Sequence, residues 1–171
     1  MASNLEFIKS ASGSSVSSLS VTDCFSDKYD VYQISLVDAQ LTTGAANWVL
    51  EFLDSGGSPI TSLVYDRAFL TLRAYNTFIE TRGTGLGNYT FGYINASESN
   101  GFEMFVYNPY SSSDYTFLNY QHSSFVVGNG GYGNKGIGVM KSAETVTGIK
   151  LYGTSGTFSS IAVSVYGLAS N

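Results

Sequence analysis

Apolar and polar side chains alternate along much of this 171-residue chain. Tyr32, Ile34 and Leu36 fall on one side of such a segment, with Gln33 and Ser35 on the other. A period of two places successive side chains on opposite faces of a β-strand, so each alternating segment predicts a strand. Strands are predicted in this way at residues 5–9, 32–36, 48–53, 62–64, 70–74, 91–95, 102–107, 115–120, 125–127 and 137–140.

Short clusters of glycine, serine, asparagine and aspartate separate these segments and predict turns. The turns are predicted at residues 26–28, 43–44, 54–59, 83–87, 108–114 and 128–136. No window of eleven residues has the 3.6-residue period of an amphipathic helix, and a single helical turn is predicted near residues 143–144. Many short strands joined by turns predict one all-β domain over residues 1–171, an antiparallel β-sandwich or barrel.

The two ends of the chain carry further structural expectations. Residues 153–156 are predicted to be the tip of a terminal hairpin, because glycines adopt positive φ readily. The inward-facing side chains of its two arms are predicted to be Ile149, Leu151, Ile161, Val163 and Val165. The opposite face of the second arm carries the small side chains of Ser160, Ala162 and Ser164. It is interpreted either as covered by a strand layer or neighbouring subunit, or as a flat polar surface.

A serine- and glycine-rich stretch follows the first predicted strand, so residues 1–15 form a possible N-terminal arm. An arm of this kind adds a strand to the sheet edge of a neighbouring molecule. The alternative is that the segment pairs within its own sheet.

The composition limits the classes of partner. Charged residues make up 12% of the chain, against roughly 25% in an average soluble domain. The net charge of −5 and the scattered basic residues argue against binding to nucleic acid. No apolar run approaches the roughly 18 residues of a membrane span, and the N-terminus lacks a secretion-signal pattern. We therefore expect a protein made in a cytoplasm, with no membrane contact.

Side chains that usually carry catalysis or bind metals are scarce. Cys24 is the single cysteine and is interpreted as a small buried hydrophobe. His122 is the single histidine and is predicted to lie at the surface or a loop end. The aspartates between residues 23 and 38 lack the spacing of an EF-hand, and calcium binding by these residues stays an open alternative. Residues 128–136 lack the order of a phosphate-binding loop and are predicted to be a long mobile hairpin loop. We expect no enzyme activity, no cofactor and no bound metal.

Tyrosines near the loop at residues 108–114 are the candidate contact residues. Tyrosine combined with serine and asparagine is typical of adaptable binding surfaces, because the ring is large and rigid while its neighbours form hydrogen bonds. The candidates for contact with a partner or a glycan are Tyr107, Tyr110, Tyr115 and Tyr132. The alternative interpretation is that these rings fold back onto the sheet.

Four segments follow one another in a recognisable order between about residue 25 and residue 168. They are FSDKYDVYQI at residues 25–34, WVLEF followed by DSGGS at 48–58, NPY at 108–110, and the closing VTGIKLY…SGTFSSIAVSVYGL. In this order they resemble the small jelly-roll structural proteins of tailed bacteriophages, especially phages of cyanobacteria and marine bacteria. The chain differs at residues 159–161, where such proteins often have a further glycine, and this affects the bend of the last strand.

The resemblance implies a jelly-roll virion protein that commonly forms a homotrimer and carries no catalytic residues. The first expected function is a capsid decoration, or cement, protein. It would bind the major capsid protein or another virion protein, and would stabilise the head because it binds only the assembled shell. The alternative is a tail-fibre or knob module that binds a host-surface glycan. A polysaccharide-degrading enzyme and a cellular lectin are the remaining alternatives.

Overall fold

The computed structural model describes residues 4–169, which fold almost entirely into β-strands. The twelve strands are β1 Leu5–Gly13, β2 Ser18–Val21, β3 Val31–Leu41, β4 Ala45–Leu53, β5 Tyr65–Arg73, β6 Ile79–Leu86, β7 Tyr89–Asn95, β8 Asn100–Tyr107, β9 Thr116–Val126, β10 Gly130–Met140, β11 Gly148–Gly153 and β12 Phe158–Leu168. This range contains no helix, so none in it is long and apolar enough to cross a lipid bilayer. The prediction of an all-β protein is confirmed.

The strands pair in two antiparallel sheets that pack face to face, which confirms the β-sandwich. The larger sheet has the order β1-β12-β3-β8-β9-β10-β5-β6, and the smaller has the order β2-β11-β4-β7. The pairs β1–β12, β2–β11, β3–β8 and β4–β7 are nested in sequence, like a long hairpin folded over on itself. This nesting supports the jelly-roll topology, which stays a prediction. The β5–β6 and β9–β10 hairpins widen the larger sheet next to β8, and β7 of the smaller sheet packs against β5, β9 and β10.

The centre of the core is an aromatic cluster around Trp48, which is fully buried on β4. Its ring stacks on Phe158 at 5.4 Å and meets the edge of Phe102 at 5.6 Å, so it joins strands of both sheets. The indole Nε1 donates a hydrogen bond to Oδ1 of Asn100 at 3.3 Å. Cys24 is also buried, as predicted, and burial raises the pKa of its thiol to about 12.

A second buried aromatic fixes the turn at residues 54–59. Tyr65 stacks on Phe52, with ring centroids 6.2 Å apart. Its hydroxyl donates to the carbonyl oxygen of Ile60 at 2.8 Å and accepts from the backbone N–H of Phe52 at 3.1 Å. Burial raises the pKa of the Tyr65 hydroxyl, which stays protonated as the donor requires. The phenol therefore connects both sides of the turn.

We expect Tyr65→Phe to lower the free energy of unfolding by about 2 kcal/mol, because it leaves a buried N–H and a buried C=O without their partner. Tyr166→Phe is the matched control, since the half-buried Tyr166 hydroxyl makes no hydrogen bond with the described residues. Urea unfolding of both variants checks the prediction. Equal stability losses would contradict it.

The possible N-terminal arm at residues 1–15 is largely part of the sandwich. β1 pairs with β12 of the same chain, from Leu5 opposite Leu168 to Gly13 opposite Ile161. Within the chain this segment therefore pairs with its own sheet, as the alternative interpretation expects, and β1 is the edge strand of that sheet. Residues 1–3 lie outside the described residues.

The prediction of a terminal hairpin is wrong, because β11 and β12 belong to different sheets. Residues 154–157 are a connection between the two layers. The predicted inward positions are correct: Ile149, Leu151, Ile161, Val163 and Val165 are all buried. The small residues of β12 lie on the outer face of the larger sheet, where no strand layer within residues 4–169 covers them.

Four other local predictions differ from the structure. Residues 83–87 and 128–136, predicted as turns, lie mainly in β6 and β10, whereas residues 62–64 precede β5. The helical turn near residues 143–144 is absent. Glycine is tolerated within β10 because neighbouring side chains fill the space: a Cβ on Gly136 would lie within 2.8 Å of atoms of Phe69, Tyr120 and Ala68. The predicted mobile loop is therefore a packed strand.

Candidate functional site

The part of the larger sheet formed by β8, β9, β10, β5 and β6 is concave on its outer face, and we call this surface the outer trough. Strands β9, β10 and β5 form its floor, and β8 and β6 form its two walls. It contains two adjoining cavities of about 1060 and 740 Å³, which have Ala68, Arg82, Asn119 and Ile137 in common. Ligand pockets in proteins usually measure about 300–1,000 Å³, so the outer trough is large enough for a ligand.

Strand register arranges the side chains of the outer trough in three rows that run across the sheet. The first row is Glu103, Gln121, Lys135, Leu70 and Glu80. The second row is Phe105, Asn119, Ile137, Ala68 and Arg82. The third row is Tyr107, Phe117, Val139 and Asp66. Polar groups dominate the first row, and apolar groups are more frequent in the second and third.

Large apolar side chains of the outer trough face solvent. Ile137 is 62% exposed and Phe117 is 47% exposed, and they lie in neighbouring rows on adjacent strands. Apolar area in water is unfavourable by roughly 25 cal/mol per Å². Contiguous exposed apolar groups with a polar rim commonly mark interaction sites. The outer trough therefore has the composition of a binding surface.

Most polar side chains of the outer trough have no internal partner. Within the described chain, no side-chain hydrogen bond or ion pair involves Glu80, Arg82, Glu103, Gln121 or Lys135. Two carboxylates and two cations are thus left without protein partners, and their charges balance.

The remaining polar groups of the outer trough are held in place. Asp66 accepts from the N–H of Gly85 at 2.8 Å and pairs with Lys141 at 2.9 Å. The Gly85 N–H and then Lys141 hold the pKa of the Asp66 carboxyl below its usual value. Asn119 Nδ2 donates to the Tyr107 hydroxyl at 3.1 Å. This bond fixes the orientation of an amide at the centre of the outer trough.

The structure separates the four candidate tyrosines. Tyr107 lines the outer trough. Tyr110 and Tyr115 are exposed in the segment between β8 and β9 and do not line either cavity. Tyr132 points to the other side of β10, where it packs on Tyr93 with ring centroids 5.4 Å apart. One of the four therefore joins this site.

Sequence reasoning missed the floor of the outer trough, although part of its signal was present. Residues 117–122 alternate strictly, with Phe117, Asn119 and Gln121 outward and the intervening residues buried. The strand predicted at residues 115–120 includes Phe117 and Asn119 but ends before Gln121. The contribution of β10 was hidden by its glycines.

His122 is not at the surface or a loop end, and this prediction is wrong. It lies in the middle of β9 on the inner face of the sheet and is 1% exposed. Burial lowers the pKa of its imidazole to about 4, an effect that Asn134 and the backbone of Tyr93 partly oppose. Neither ring nitrogen has a hydrogen bond of normal geometry. The imidazole is therefore neutral and is separated from the outer trough by the sheet.

A second exposed apolar surface lies at the end of the larger sheet where the β5–β6 and β9–β10 turns meet. The N–H of Ala74, which follows β5, bonds to Gly131 at the start of β10, so these turns are neighbours. Val37 lies near the same end, because it flanks Gly101, whose partner on β9 is Ser123. We call this the apolar end surface, and its exposed side chains are Val37, Phe78, Phe125 and Val127.

The geometry of the outer trough is suited to binding. Its two partner-free carboxylates, Glu80 and Glu103, are four strands apart, about 19 Å at the usual strand spacing. Glycoside-cleaving carboxylates lie about 5–9.5 Å apart, so this pair does not match that arrangement. Within residues 4–169, no group of three or more His, Cys, Asp or Glu side chains is placed to hold a metal ion. Its chemistry consists of apolar contact and hydrogen bonding.

No protein-family model matches the chain, and no curated protein is significantly similar to it. Function must therefore be inferred from these two surfaces.

Proposed function

We propose that the protein is a structural module of a bacteriophage virion that binds other surfaces without covalent chemistry. The observation that carries this proposal is a single sheet whose apolar end surface exposes large side chains and whose outer trough is one continuous face of exposed apolar and partner-free polar side chains. A rigid sheet supports that face, because every floor strand is paired on both sides. Such a surface is preorganised for contact, which reduces the entropy lost on binding.

Its proposed role in the particle is capsid decoration. The apolar end surface would contact the major capsid protein or another virion protein, since 61% exposure of Val127 and 63% exposure of Phe78 are unfavourable in water. Binding to the assembled shell alone stabilises that shell by mass action. A homotrimer would multiply each contact threefold and raise the overall affinity.

The second candidate is a tail-fibre or knob module that binds a host-surface glycan. The mixture of aromatic rings and partner-free amide and charged groups in the outer trough favours it. The two roles differ in where the chain is placed on the particle.

The test uses particles assembled from the genome that encodes the chain. Gold-labelled antibody is expected on the heads, and the purified protein is expected at about three times the 18.3 kDa chain mass. Label confined to tails would replace decoration by the second candidate. Particles that lack the chain would overturn the proposed function.

Two matched variants test which surface contacts the shell. Val127→Glu is expected to lower particle incorporation at least tenfold, because it introduces a charge into the apolar contact. Ile137→Glu, at a site of nearly equal exposure in the outer trough, is expected to leave incorporation unchanged. The reverse result would contradict the assignment of the two surfaces.

A further inference from the structure

We infer that the outer trough is a binding site for an extended, uncharged oligosaccharide. This inference depends on the proposed function only in requiring that the outer trough stays open to solvent on the particle. Three features indicate the class of ligand. The backbones of the floor strands are hydrogen-bonded within the sheet, the positive and negative charges of the outer trough balance, and apolar side chains lie beside polar ones.

The backbone of the floor argues against a peptide ligand. Strand β9 is hydrogen-bonded to β8 and β10, and β10 is hydrogen-bonded to β9 and β5. A peptide recognised by strand addition needs an open sheet edge, and the floor strands have none; the open edge of the larger sheet on this side belongs to β6, at the margin of the outer trough. A peptide lying across the face would instead bury its own amides against side chains, at a cost for each amide left unpaired. Sugar hydroxyls do not have this restriction, because each rotates and both donates and accepts.

The charge of the outer trough favours an uncharged chain. Glu80 and Glu103 are balanced by Arg82 and Lys135, and none of the four has an internal partner. The fifth partner-free polar group, the Gln121 amide, is neutral. A polyanion would gain from the two cations but would meet the two carboxylates. Sugar hydroxyls can donate to the carboxylates and accept from the cations at the same time.

The rows of the outer trough match the two sides of a pyranose ring. The Phe117 ring and the Ile137 side chain are exposed for contact with the apolar C–H face. Asn119 and Gln121 follow Phe117 at successive outward positions of β9 and reach the hydroxyl edge. The three rows span four residues along each strand, about 13 Å, and five strands across, about 19 Å. This area accommodates several sugar rings.

The experiment titrates the full-length protein with defined hexasaccharides and follows backbone amide shifts by NMR. The probes are β-1,4-linked glucose, α-1,4-linked glucose, β-1,4-linked N-acetylglucosamine and α-1,4-linked galacturonic acid hexamers. At least one neutral hexamer is expected to bind at or below millimolar concentration and to shift residues 117–121 and 135–137. The galacturonic acid hexamer is expected to bind more weakly. Absence of binding by every neutral hexamer would overturn the inference.

Matched variants separate the outer trough from other aromatic surfaces. Phe117→Ala and Gln121→Ala are each expected to weaken binding about tenfold. The controls are Phe125→Ala and Tyr115→Ala, which remove rings of 42% and 45% exposure outside the outer trough and are expected to bind normally. Equal weakening in the controls would contradict the site, and thermal unfolding confirms that each variant is folded.

Particle incorporation of the same variants distinguishes this inference from the proposed function. Loss of glycan binding by Phe117→Ala with normal particle incorporation supports both the virion role and the oligosaccharide site. Glycan binding by a protein that is absent from particles would overturn only the virion role. Normal incorporation with no hexasaccharide binding would overturn only the inference about the ligand.

Discussion

The free energy of unfolding is expected to fall by about 3 kcal/mol as the pH is lowered from above 6.5 to 4, because of the single buried histidine. The pKa of His122 is about 4 in the folded protein and 6.5 at its ordinary value. Between these values the unfolded chain binds a proton that the folded chain does not, so stability decreases as the pH falls. The slope approaches about 1.4 kcal/mol per pH unit.

The structural cause is the enclosure of the imidazole between the sheets. Gly92 of β7 lies against the ring, and a Cβ there would be 3.1 Å from His122 Cγ. Tyr132 meets it in a T-shaped arrangement with ring centroids 6.5 Å apart, and Asn134 is its partner across the strands. Burial dominates the pKa shift, and no carboxylate contributes to it. A protonated ring at this position would be a charge without a counter-ion.

Urea unfolding at half-unit steps from pH 4.5 to pH 7.5 measures the effect. The chain has one histidine, so the interval between pH 5 and pH 6.5 reports this residue with little interference from carboxyl groups. His122→Gln is expected to remove most of the slope. The NMR signal of the wild-type imidazole gives an independent check, since it should not titrate above pH 5. A ring that titrates near pH 6.5 would contradict the prediction.

The fold class could be predicted from sequence because alternation is a local property of the chain. Residues 48–53 and 102–107 have apolar residues at every second position, and both segments are strands that bury those residues. The pairing of strands could not be predicted, because it depends on contacts between distant segments. Residues 149–151 and 161–165 have the pattern of two hairpin arms, yet they lie in opposite sheets. Alternation identifies the inward side of a strand and contains no information about its neighbour.

The candidate site could not be predicted as a unit, since it is formed by register across five strands. Glu80 and Glu103 belong to different segments, and only the insertion of two hairpins into the larger sheet places them on facing walls. The second half of β10, at residues 137–140, is predicted as a strand, but the first half could not be predicted because its packing partners are not visible in sequence. Its glycines indicate a loop when considered alone, but their neighbours occupy the space that side chains would need.

This packing leads to the second large effect, which concerns Gly138 beneath the outer trough. A Cβ at Gly138 would lie within 3.0 Å of three ring carbons of Tyr89. The Tyr89 ring cannot move away easily, because it is fully buried, contacts Phe91 and Tyr120, and donates its hydroxyl proton to the Ile137 carbonyl at 2.8 Å. Overpacking in a rigid core costs about 1–3 kcal/mol. We expect Gly138→Ala to reach the upper end of that range, about 3 kcal/mol.

Gly131→Ala is the matched control on the same strand, since its added Cβ would be 3.6 Å from the Cβ of Ala74 and its φ is not positive. It should change stability by less than about 0.5 kcal/mol. Tyr89→Leu should lower the additional cost of Gly138→Ala by at least about 1 kcal/mol, because contacting residues are energetically coupled. Urea unfolding of the wild type, Gly138→Ala, Tyr89→Leu and the double variant measures this coupling. Additive losses in the double variant would mean that the Tyr89 ring does not restrict this position.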